Sequence, residues 1–325
     1  MDLRSTAFEL ARRHGLDREA SLRLLALASP EQEPPTARTW WWRGVAVLAA
    51  ALGGLGVVMW VAANWDDFGR MGRFAILQGM VVAALLGAAA SRALRAPLAL
   101  LGLLGTGALF AYFGQTYQTG ADPWQLFALW AALVLPLCLA VRSEVTWLPW
   151  TVVATTGIAL WMHAHGGHGW RMAAQDLPVH LTGWCAMLLI VAALDARLRR
   201  WSGAGAWSWR LAAAQCAGMV TLTAIAGLFA APAVAPQYLA GLLVLLAWAG
   251  WMCTRRGFEV FGLSATALGL NALVLCGLGR LLFEAGGPDP IGGLLLVALA
   301  SAGVLAATVQ GILRLSRHYA QEAAP

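Results

Sequence analysis

Apolar residues in this chain gather into ten runs with short polar connections between them. The runs cover residues 44–64, 72–91, 96–115, 124–141, 147–164, 178–195, 210–230, 236–253, 258–279 and 291–313. An α-helix rises about 1.5 Å per residue, so ~20 apolar residues cross a hydrocarbon layer of ~30 Å. The pattern therefore predicts an all-α fold, a polytopic integral membrane helix bundle of about ten transmembrane helices. Residues 1–37 differ. They are polar, with apolar positions at helical spacing in Phe8, Leu10 and Ala11 and again in Leu22, Leu24, Leu25 and Leu27. Gly15 reads as the end of one short helix and Asp17 as the N-cap of the next. The run PEQEPP, from Pro30 to Pro35, reads as a linker. The expected organisation is a cytoplasmic helical pair and linker over 1–37, a bundle over 38–317 and a cytoplasmic tail over 318–325. No short apolar segment opens the chain, so the first membrane helix is expected to act as the insertion signal.

Composition removes the soluble alternatives. Hydrophobic residues make up 60% of the chain and charged residues 12%, against roughly 25% charged in soluble domains. The net charge of +6 does not indicate nucleic acid, because the basic residues, all of them arginine, sit between the apolar runs rather than in one block. Their distribution predicts orientation instead. With the N-terminus in the cytoplasm, the inner side holds the arginines up to Arg43, then Arg92, Arg95, Arg142, Arg197, Arg199, Arg200, Arg210, Arg255, Arg256, Arg314 and Arg317. The outer side holds only Arg70, Arg73, Arg171 and Arg280. This is the positive-inside pattern at every inner loop, and it places both termini in the cytoplasm. Tryptophans fall near both ends of the runs and read as interfacial anchors: Trp40, Trp41, Trp42, Trp147, Trp150, Trp207, Trp209 and Trp251 inside, Trp60, Trp65, Trp124, Trp161 and Trp170 outside. The lipid bilayer is thus the first partner the sequence implies.

Small residues at every fourth position, Ala46, Ala50 and Gly54 in one run and Gly303, Ala307 and Gly311 in another, are candidates for close helix contact. A parallel repeat is suggested by two dipeptides. Trp42-Arg43 and Asp122-Pro123 return 167 residues later as Trp209-Arg210 and Asp289-Pro290, relating 42–141 to 209–313. Gln78, Gln215, Asn271 and Gln310 lie within apolar runs, where amides are expected to bond between helices. No charged residue lies deep in a run, which speaks against a proton-driven pump.

Candidate chemistry gathers at the expected outer ends. Asn64-Trp65-Asp66-Asp67 closes the first run, Gln115-Thr116-Tyr117 closes the third, and Asp122 precedes the fourth. These residues and Asn271 are the candidate ligand- or partner-binding set. A structural reading competes, with Asn64 capping the first helix, Asp67 the second and Asp66 pairing with Arg70. His163, His165 and His168 in HAHGGHG are candidate metal ligands, although they have no HExxH motif or well-spaced carboxylate. No cofactor is expected, and no phosphate-cradling loop or nucleophile motif is present. Cys138, Cys185, Cys216, Cys253 and Cys276 lie in or at the ends of apolar runs and read as small buried hydrophobes.

Two segments carry a resemblance. GLGVVMWVAANWDDFGRMGRFAIL and GALFAYFGQTYQTGADPWQLFALWAALVLP, preceded by the short helical pair, resemble the bacterial predicted membrane proteins called domain of unknown function 2157. The first is similar to that family's ANW helix end, and the second to its GQ-Y…G-DPW…W…P stretch. The resemblance covers residues about 5–160. It implies a multi-pass protein of the bacterial inner membrane working beside other small membrane proteins, and no activity. Three functions follow as expectations: an accessory or scaffold protein of a membrane complex, a small-solute transporter with a polar site at the outer helix ends, and a metalloenzyme using the outer histidines.

Overall fold

A computed structural model describes residues 3–27, 35–64, 68–117, 120, 122–167, 172–230, 233–284 and 290–323. Among them there are helices and no strands. α1 (Leu3–Arg13) and α2 (Arg18–Leu27) form the N-terminal pair. α3 (Pro35–Ala63), α4 (Arg70–Ala90), α5 (Arg95–Tyr117), α6 (Pro123–Val141) and α7 (Glu144–His165) follow. The second part holds α8 (Leu177–Ala193), the short α9 (Arg199–Ser202), α10 (Ala206–Leu228), α11 (Gln237–Met252), α12 (Val260–Glu284) and α13 (Pro290–Ala323). Nine helical spans are long and apolar enough to cross a membrane, one of them α8 with the 3-10 turn before it (Ala174–Ala193), and α11, with 16 residues, is the tenth apolar helix. The ten expected runs thus all form helices, of which one is shorter than a bilayer core. α13 runs six residues into the segment expected as a tail, and α3 begins at Pro35, inside the expected linker.

α11 nevertheless travels from one end of the bundle to the other. At its start the Gln237 amide donates to the carbonyl of Ala173, beyond the C-terminal end of α7. At its finish the Cys253 carbonyl accepts from the hydroxyl of Tyr319, near the C-terminal end of α13. The start of α7 meets the start of α10 through Glu144, and the start of α10 meets the start of α12 through an Arg210–Glu259 ion pair at 3.0 Å. Arg142 and Trp147, where α6 turns into α7, donate to carbonyls of Arg200, Trp201 and Ser202. Residues 40–47 of α3 share a concave surface with Arg92, Arg142 and Arg199. Gln237 and Ala173 apart, these groups lie at one end of the molecule, called here the arginine-rich end. The beginning of α3 and the end of α13 are therefore on the same side.

α10 is the centre. It packs on α7, α8, α11 and α12, and 56% of its span is buried, against 6% for α3 and α13 at the edges. α3 packs chiefly on α5, and α13 chiefly on α12. Three boundaries recur at one spacing: α4 and α11 start at 70 and 237, α5 and α12 end at 117 and 284, and α6 and α13 start at 123 and 290.

Helix starts and stops have local causes. Pro123 occupies the first turn of α6, where a missing N–H costs nothing. α6 stops at Arg142, the one non-glycine residue with positive φ (54°) among those described. Ser143 then caps α7 by accepting from the Val145 amide at 3.3 Å. Threonine hydroxyls inside the helices return to the carbonyl four residues back, as Thr151 does to Trp147 and Thr155 to Thr151, both at 2.8 Å. These hydroxyls are thereby carried through an apolar layer with their hydrogen bonds satisfied.

Several tryptophans do other work than interfacial anchoring. Trp147 is 3% exposed and gives its indole N–H to Ser202. Trp150 donates to the Ala131 carbonyl at 2.9 Å, joining α7 to α6, and Trp130 donates to Leu103 at 3.0 Å, joining α6 to α5. Trp209 is also buried. Gly107 makes the Trp130 bond possible, since a Cβ there would overlap the indole ring. Trp40, Trp41, Trp42 and Trp207 are exposed, as anchors should be.

Candidate functional site

The polar residues at the arginine-poor end sit on four helix ends: the finish of α3, the start of α4, the finish of α5 and the start of α6. Asn64 bonds within its own helix end. Its backbone N–H and its side-chain amide both donate to the Trp60 carbonyl, at 3.0 and 2.9 Å. The side-chain amide is thus a second donor to a carbonyl that the helix backbone already pairs. Trp65, Asp66, Asp67 and His168 lie outside the described residues, as do the Asp66–Arg70 pair and the Asp67 cap expected from sequence.

Around Tyr117 the structure assembles aromatic rings. Phe74 of α4 lies 4.6 Å from Tyr112 and 5.9 Å from Tyr117, centroid to centroid, and Phe113 lies 4.8 Å from Tyr117. The Arg70 guanidinium stands 5.8 Å from the Tyr117 ring centroid, within cation–π reach. Tyr112 donates to the Arg70 carbonyl at 3.3 Å. These contacts fasten the start of α4 to the end of α5. Gln115 is exposed on the same turn. Asp122 is exposed at the N-cap position of α6, with no side-chain cap bond.

Asn271 belongs elsewhere. It sits midway along α12, and its carbonyl oxygen accepts from Thr308 of α13 at 3.1 Å. That is the interhelical bond expected of an amide in an apolar run. Its side-chain nitrogen is buried with no hydrogen-bond partner among the described residues, as is the Gln215 oxygen. Gln78 and Gln310 are instead exposed on the outer surface of α4 and α13.

His165 bonds back to the Trp161 carbonyl at 2.9 Å and lies against the rings of Trp161 and Trp124. His163 is exposed. Among the described residues no group of three or more His, Cys, Asp and Glu side chains could hold a metal ion.

Sequence reasoning did not find a buried polar group near this same end. Asp176, His180 and Gln237 are all nearly inaccessible. The His180 ring bonds the Asp176 carbonyl at 2.8 Å, and Gln237 bonds the Ala173 carbonyl at 2.6 Å. Two helices, α8 and α11, thus hold one turn between them. Gln237 opens α11 directly after Pro236, but no sequence signal marks it as fully buried.

An all-α bundle with this many apolar crossings defines a polytopic membrane protein. Residues 9–147, from α1 to the first turn of α7, match the family model described as predicted membrane protein (DUF2157). Both segments that carry the resemblance lie within that stretch. No curated protein and no solved structure matches the chain.

Proposed function

We propose that this protein is an accessory or scaffold component of a membrane complex, with both termini in the cytoplasm of a bacterial inner membrane. One observation carries the reading. α13 leans on α12 and leaves Gly303, Ala307 and Gly311 exposed along one outward face, with no atom within 4 Å of a Cβ placed on Gly303 or Gly311. The other small-residue stripe is used inside the chain, since a Cβ on Gly54 would come within 2.8 Å of Leu101 on α5. Close backbone approach is what such stripes provide in lipid, where burial of apolar surface gives no driving force. The exposed amide of Gln310 on α13 adds a polar group that a partner helix would satisfy. The N-terminal pair supports the same reading, because Phe8 and Leu22 are 62% and 59% exposed in a segment outside the apolar spans. Affinity purification after extraction in a mild detergent should recover a fixed partner, and Gly303→Leu with Gly311→Leu should reduce its recovery. A wild-type chain that always purifies alone sinks the proposal.

A transporter for small solutes is the second reading. The recurrence of three helix boundaries at one spacing, together with a third helix that packs on the first, second and fourth in each set (α5 among α3, α4 and α6; α12 among α10, α11 and α13), favours it. Repeats of this kind build many transporters, with the substrate at their interface. Solute flux into proteoliposomes that falls with Gln115→Ala would support this reading, and absence of flux for any solute class tried would count against it.

A further inference from the structure

We infer that the arginine-rich end carries a binding site for an anionic phospholipid headgroup. A basin of about 1640 Å³ opens there between residues 40–47 of α3, the α4–α5 turn, the α6–α7 turn and α9. Arg43, Arg92, Arg95, Arg142 and Arg199 line it, with Glu144 as the single carboxylate.

That carboxylate is already engaged. Its two oxygens accept from the backbone amides of Trp207 and Ser208, both at 2.9 Å. None of the five arginines is in an ion pair among the described residues. Arg142 donates to the carbonyls of Arg200 and Trp201, and Arg95 only weakly, through Nε, to Ala88 at 3.4 Å. The guanidinium groups of Arg43, Arg92 and Arg199 have no hydrogen bond among the described residues. Five guanidinium groups around one concavity repel one another unless an anion sits between them. Guanidinium is planar, always charged and matched to the oxygens of a phosphate, which it grips in pairs.

The surroundings select a lipid over a dissolved phosphate. The basin lies at the ends of apolar helices, at the level where headgroups lie. Trp40 and Trp42, 74% and 63% exposed, stand on its wall in the position of interfacial tryptophans. α3 rests chiefly on α5, and from the basin downward it presents Val45, Leu48 and Leu52, all exposed, along which acyl chains can run. Basic pockets between membrane helices are where anionic headgroups bind.

Full-length protein in an uncharged detergent tests this by native mass spectrometry, titrated with phosphatidylglycerol, phosphatidylcholine or inorganic phosphate. Phosphatidylglycerol should form a one-to-one adduct, and phosphatidylcholine should need at least about tenfold more lipid for half-saturation. The triple variant Arg43→Gln, Arg92→Gln, Arg95→Gln should lose that preference, and single Arg92→Gln, on an exposed turn, should weaken it if the triple variant does not fold. Arg314→Gln with Arg317→Gln, at the same end but outside the basin, should retain it. Equal half-saturation for the two lipids overturns the inference, as does a preference that survives in the arginine variants or disappears in the control. Half-saturation by millimolar phosphate that displaces the lipid overturns the lipid assignment in favour of a soluble phosphate compound.

Discussion

Removing the Glu144 carboxylate should loosen the junction between the two parts of the bundle. Glu144 opens α7 and accepts from two amides at the start of α10, 63 and 64 residues further along the chain. Free N–H groups at a helix N-terminus and the positive end of the helix dipole both favour a carboxylate there. A hydrogen bond to a charged group contributes about 1.5–3 kcal/mol. The site is half-buried, so the low end applies. Glu144→Ala should therefore cost about 3 kcal/mol for the two bonds, roughly a 150-fold change in the unfolding equilibrium. Gly205 provides an internal check. A Cβ there would press on the Glu144 carboxylate and come within 2.7 Å of its Cγ. The Gly205 backbone, at φ −104° and ψ −169°, suits any residue. Gly205→Ala should thus act by pushing the carboxylate off its two amides, and it should cost little once Glu144 is gone. Reversible unfolding in mixed micelles, followed by tryptophan fluorescence, measures the four corners of this cycle. The double variant should be about as stable as Glu144→Ala alone. Fully additive losses would refute the reasoning, because Gly205 would then matter for something other than the carboxylate.

Trp130→Phe should destabilise by about 1 kcal/mol in the same assay, through loss of the N–H bond to Leu103 in α5. Thr155→Val should change stability by less than about 0.5 kcal/mol, because the hydroxyl bonds its own helix and holds no neighbour; a larger loss would reveal an interhelical role. An Asn271→Ala, Thr308→Val cycle should give a coupling of roughly 0.6 kcal/mol, the usual value for amide and hydroxyl pairs in lipid. Tyr319→Phe should free the last turns of α13 from the Cys253 carbonyl, so that limited proteolysis trims the C-terminus faster than in the wild type.

The helices were legible because a membrane crossing needs a long apolar run, and such runs are hard to mistake. The roles of single residues were less so. Trp147 and Trp150 lie close to a span end, where an interfacial anchor and a buried donor look alike in sequence. Only the packing of α7 against α6 and the 199–203 segment distinguishes them. Asn64 and Asn271 looked like members of one set because both are amides in apolar surroundings. In the fold one closes α3 and the other pairs with α13. The arginine basin was illegible for a different reason. Its residues stand at 43, 92, 95, 142 and 199, and each was accounted for separately as a topological signal. Charges that alternate along the sequence for orientation converge in space only when the loops fold together.

The brevity of α11 acts on the lipid around it. Its 16 residues reach about 24 Å, some 6 Å less than an average hydrocarbon core of ~30 Å. Leu239, Leu243 and Leu246 are exposed on it, so acyl chains meet that short surface directly. A span this short is met by thinning of the bilayer along this flank, by snorkelling of its flanking residues or by a neighbour that covers it, each at a fraction of a kcal/mol per Å. On the α13 flank the apolar surface is long and no such thinning is imposed. The apolar surface to be matched is therefore short on one flank and long on the other. Such a mismatch favours neighbours that cover the short flank, and it costs least in membranes that are thin to begin with.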